Sequence, residues 1–137
     1  MAAAGLLSAC GSNQIPLDEQ EQRWIDQTSR ALHATVYLQH DRETFLAGRG
    51  RATLVVAVTN TGVGPCQLNS TRLTQLALRL ATEAHATVRY NCLYDSVKVL
   101  FSATRRDGSR IEYGICSQEV QVALQPTLQA RLIRRFY

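Results

Sequence analysis

Three imidazoles, His33, His40 and His85, are the side chains best suited to move protons near neutral pH. His40 has a carboxylate beside it, Asp41. A histidine–carboxylate dyad needs both groups on one face, and adjacent residues of a strand point to opposite faces, so this pair makes no dyad without a bend. None of the three stands beside a serine or cysteine in a nucleophile motif. Gly48-Arg49-Gly50 is a lone G-x-G with no helical pattern behind it, which reads as a turn and not as a phosphate cradle. Cys66, Cys92 and Cys116 lack the close C-x2-C pairs that zinc favours. The expectation is a protein with no catalytic residue, metal, cofactor or small-molecule substrate.

The remaining cysteine has a different context. Leu7-Ser8-Ala9-Cys10-Gly11 places an apolar residue and two small ones before Cys10, as at the cleavage and acylation site of bacterial lipoproteins. An export signal carries a positive start and roughly 7–15 apolar residues. Residues 1–9 have no Lys or Arg and too short an apolar run, so they read as the remnant of a signal that starts upstream. Cys10 would be the lipidated N-terminus and Ser12-Asn13-Gln14-Ile15-Pro16 the polar tether behind it. In an exported protein two of the other three cysteines would pair. Cys92 and Cys116 flank a hairpin signal and are the first candidates, with Cys66 paired to either as the alternative.

With 137 residues, 45% of them hydrophobic, the chain has material for one core. No run approaches the roughly 18 apolar residues of a spanning helix, so membrane attachment would come through lipid. The net charge of +4 is almost all arginine, Lys98 being the sole lysine. The arginines are scattered, without a dense run or an interleaved aromatic platform, which argues against nucleic acid as a partner.

The elements that would position these residues are mostly strands. Residues 17–32 are polar and charged, with apolar positions at Leu17, Trp24, Ile25, Ala31 and Leu32, and read as a tether or short helix docked by Trp24. Period-two alternation then predicts strands over 33–39, 51–59, 86–92, 96–104, 110–115, 120–124 and 128–133. Asp107-Gly108 between two of them is a hairpin signal. Residues 70–82 fit a helix through Leu73, Leu76, Ala77 and Leu80 and a strand through Leu76, Leu78 and Leu80. The β-rich surroundings favour the strand. The predicted fold is all-β: a single antiparallel β-sandwich of seven or eight short strands over 33–137, behind a lipidated segment 10–32.

This order of elements resembles the YscW family of small lipoproteins, the pilotins of type III secretion systems. The likeness runs over roughly 33–133. It is carried by Val36-Tyr37, Ala52-Thr53-Leu54-Val55-Val56-Ala57-Val58, Val88-Arg89-Tyr90-Asn91, Val97 to Thr104 and Arg106 to Tyr113. The resemblance implies a chaperone that binds the C-terminal region of a secretin subunit and promotes its outer-membrane targeting and ring assembly. It also implies an anchor at Cys10, with Gly11 as the sorting position: Asp there signals inner-membrane retention, so Gly11 implies the periplasmic face of the outer membrane. It assigns no secretin-contacting residue. The alternative is a structural envelope lipoprotein of β-sandwich fold with no secretin client.

Overall fold

The computed structural model describes residues 16–40, 52–61, 67–89, 91–107, 111–124 and 128–136. In chain order they form α1 (Glu19–Leu32), β1 (Thr35–His40), β2 (Ala52–Thr61), α2 (Ser70–Thr87), a 3-10 turn (Asn91–Leu93), β3 (Tyr94–Asp107), β4 (Ile111–Ala123) and β5 (Gln129–Phe136).

Helix α1 starts where its sequence supplies a reciprocal cap. The Glu21 amide donates to Asp18 Oδ1 at 2.7 Å, and the Asp18 amide donates to Glu21 Oε1 at 2.9 Å. It ends at His33, whose left-handed backbone (φ 50°) turns the chain toward β1. Trp24 and Ile25 face inward, and the indole N–H of Trp24 donates to Glu83 Oε1 of α2 at 3.1 Å, so the docking aromatic is in place. Helix α2 is capped by Asn69, whose side chain accepts from the Arg72 amide at 2.8 Å. Its buried stripe, Leu73, Ala77, Leu80, Ala81 and Ala84, repeats at helical spacing. Among the described residues no helix is long and apolar enough to cross a membrane.

The five strands form one sheet in the order β1-β2-β3-β4-β5. Every neighbouring pair is antiparallel except β2–β3, which is parallel. A parallel pair needs a crossover, and α2 lies in the link between those two strands. Both helices pack on one face. There Val36 and Leu38 of β1, Leu54, Val56 and Val58 of β2, Val97, Val99 and Phe101 of β3, and Val120 and Val122 of β4 close the core with the helical stripes. Each large side chain so buried contributes about 1.5–3 kcal/mol.

The all-β sandwich of seven or eight strands is therefore corrected to an α/β fold with one mixed sheet. Residues 70–82, read as a strand, belong to α2, and so do the first two of the strand expected over 86–92. The helical stripe continues through Ala81 and Ala84, and only its whole length outweighs the short alternation of Leu76, Leu78 and Leu80. The strands expected over 110–115 and 120–124 are one strand, β4, with a register shift between the Ala103–Cys116 and Thr104–Gly114 pairs. β3 and β4 pair antiparallel as the hairpin signal predicts, Asp107 standing opposite Ile111, while Gly108 lies outside the described residues.

The Cys92–Cys116 bridge is also corrected. Cys92 is an exposed free thiol, whereas the buried Cys116 is disulfide-bonded. Cys92 precedes β3, while Cys116 stands opposite Ala103, nine strand steps beyond Tyr94. That is about 30 Å of extended chain, against the roughly 4.4–6.8 Å between Cα atoms that a disulfide spans.

Candidate functional site

The face of the sheet away from the helices carries no helix among the described residues. Strand register fixes its rows. One runs Gln39–Val55–Lys98–Gln121–Arg131 from β1 to β5, and beside it Thr53, Ser96, Ala123 and Gln129 form a second. A third runs Tyr37–Ala57–Leu100–Glu119–Ile133, with Tyr37 57% exposed. Over the first two rows lies a groove of about 940 Å³, bordered at one end by His40.

Its lining combines amides, hydroxyls and two cations with the apolar side chains of Val55, Val97, Val122, Ala123 and Ala130. The Thr53 and Ser96 hydroxyls hydrogen bond to each other at 3.0 Å. Lys98 and Arg131 have no ion-pair partner among the described residues, and no described carboxylate lines the groove. The nearest acid by register is Glu119, one row away, whose Oε2 accepts from Gln121 Nε2 at 2.7 Å. Such a surface can hold a polar or anionic ligand by charge and hydrogen bonds.

Behind one end of the groove, on the helical side, lies a buried polar cluster. Glu21, His40 and Tyr94 are 0%, 1% and 2% exposed. His40 Nε2 donates to Glu21 Oε2 at 3.0 Å, and Nδ1 meets the Tyr94 hydroxyl. The Arg89 amide donates to the same Glu21 oxygen at 3.1 Å. The Arg89 guanidinium reaches the carboxylates of Glu21 at 3.3 Å and Asp18 at 3.4 Å and donates to the Pro16 carbonyl. Burial alone would raise the Glu21 carboxyl. The His40 hydrogen bond, the Asp18 and Arg89 amides and the His40 charge outweigh it and hold the carboxyl at about 2, down from 4.5. Both ring nitrogens of His40 are engaged inside the protein, so the cluster joins α1, β1, β3 and the α2–β3 link instead of presenting a base to solvent.

The other candidates are dispersed. His33 caps α1, and His85 Nε2 donates to the Asn91 carbonyl at 3.0 Å. Cys10, Gly11, Asp41 and Gly48-Arg49-Gly50 lie outside the described residues. Among the described residues no three His, Cys, Asp or Glu side chains are grouped to hold a metal ion. Sequence reasoning missed Glu21, which it left inside a polar tether. The signal was Asp18-x-x-Glu21, the spacing of a helix-starting box. Comparisons of the chain with protein-family models, with curated proteins and with solved structures find no match.

Proposed function

We propose that the protein is a lipid-anchored envelope protein that binds a partner protein. Cys10 carries the lipid, Gly11 directs sorting to the periplasmic face of the outer membrane, and the uncovered sheet face receives the client. The observation that carries this reading is that face: the described helices lie on one side of the sheet, and the other side carries Lys98 and Arg131, which have no ion-pair partner among the described residues, beside amides, hydroxyls and scattered apolar side chains. The client implied by the resemblance to YscW pilotins is the C-terminal region of a secretin subunit, whose targeting and ring assembly in a type III secretion system the protein would promote. Support for that client comes from the Cys10 pattern and the binding-type surface, and not from the fold, since the sandwich expected with the resemblance is replaced by a mixed sheet.

That difference in fold favours a second reading, an envelope lipoprotein with a structural role and no secretin client. The test is Cys10→Ser in a host carrying the secretin. Under the pilotin reading the variant folds normally while secretin multimers fail to reach the outer membrane, and purified protein retains the secretin C-terminal tail. Normal outer-membrane secretin in the variant, or no retention of the tail, rejects the pilotin reading.

A further inference from the structure

We propose that the Lys98–Gln121–Arg131 row is the docking site for an extended, acidic segment of the partner. The proposal deepens the partner-binding reading and rests on it.

Charge selects the occupant. Lys98 and Arg131 share a face and a row, separated only by Gln121 on the strand between them. Neither is neutralised within the described protein, and the groove walls around them are otherwise uncharged among the described residues, apart from His40 at its end. Glu119, the one described acid close by register, already accepts from Gln121. Two cations set among neutral groups, polar and apolar, leave net attraction for carboxylates.

Geometry selects the shape. Strand spacings of about 4.8 Å put the two cation-bearing strands roughly 10 Å apart and make the band from β1 to β5 about 19 Å long. A segment in left-handed extended conformation rises about 3.1 Å per residue and repeats its side-chain direction every three residues. Carboxylates at positions i and i+3 therefore point the same way about 9 Å apart, matching the cations, and about six residues cross the groove. Gln39 and Gln129 at its ends and the Thr53–Ser96 pair along its floor can bond the free main-chain groups of such a segment.

The test is fluorescence anisotropy with the purified protein and a labelled ten-residue peptide, uncharged except for Glu at positions 4 and 7, beside its Gln counterpart. The Glu peptide binds and the Gln peptide binds at least about tenfold more weakly, the scale of two exposed charge pairs. Combined Lys98→Gln and Arg131→Gln removes that preference, combined Lys98→Arg and Arg131→Lys retains it, and raising salt to about 0.5 M weakens only the proteins that keep both charges. Equal binding of the two peptides, an unchanged affinity in the double Gln variant, or binding of free phosphate or citrate without binding of the Glu peptide overturns the proposal. Secretin retained by the double Gln variant rejects this site and leaves the pilotin reading standing. Glu-peptide binding at these two residues without secretin retention rejects the pilotin reading and keeps the site.

Discussion

Glu21→Gln should be among the most damaging single changes in the protein, and its effect should depend on pH in a defined direction. The carboxylate has no solvent contact and receives the His40 ring, the Asp18 amide and the Arg89 amide, with the Arg89 guanidinium alongside. Its carboxyl is lowered from 4.5 to about 2. At about 1.4 kcal/mol per unit, ionisation in this setting contributes on the order of 3 kcal/mol. A glutamine keeps one acceptor and turns an NH2 toward donors, so the loss is on the order of 3–5 kcal/mol, as when a buried pair loses one partner. Since whole domains are stable by about 5–15 kcal/mol, the variant would be marginal. Because the folded-state value is depressed, the contribution is complete above about pH 4.5 and fades as the pH falls toward 2. Urea unfolding followed by the fluorescence of Trp24, the only tryptophan and a buried one, measures this at pH 7, 4.5 and 3. The gap between parent and Glu21→Gln is widest at pH 7 and narrows through the acid range. A gap below about 1 kcal/mol at pH 7, or one constant across the series, would refute the assignment of the cluster as a charged tie.

Two further outcomes follow from the core and the thiols. Gln118 lies fully buried opposite Phe101, and neither end of its amide has a hydrogen-bond partner among the described residues. Gln118→Met should therefore stabilise the protein by about 1 kcal/mol in the same urea assay, and a destabilisation would mean that the amide is satisfied in solution. Under native, non-reducing conditions maleimide should label Cys92 and leave Cys116 untouched. The chain leaves β2 at Thr61, opposite Thr104 and next to the Ala103–Cys116 pair, with Cys66 five positions on. Peptide mapping should accordingly recover Cys116 joined to Cys66, and a Cys92–Cys116 peptide would contradict the strand register.

The legibility of these features in the sequence varied with how local their causes are. β1 and β2 were readable because Val36 and Leu38, then Leu54, Val56 and Val58, alternate along them, and β5 because Ala130 and Leu132 do. The β3–β4 pairing was readable because Asp107-Gly108 is a turn signal between two alternating stretches. Helix α2 is hard to read because its stripe is completed only by Ala84, beyond the alternation of Leu76, Leu78 and Leu80; the parallel crossover and the helix-covered face of the sheet depend on it. The groove depends on which strands become neighbours, and no local pattern states that Lys98, Gln121 and Arg131 share a row. His40 was noticed for the wrong neighbour: Asp41 adjoins it in sequence, but Glu21, nineteen residues earlier, is its partner.

The Arg89 contacts also have a mechanical meaning. The guanidinium grips Pro16, Asp18 and Glu21, at the start of the described residues. A load applied at Pro16 reaches the start of β3 through Arg89 and Tyr94 as well as α1 through its own first turn. Force is thereby divided between a helix that unwinds from its end and a central strand paired on both sides, so that neither α1 nor β3 alone bears a pull applied at Pro16.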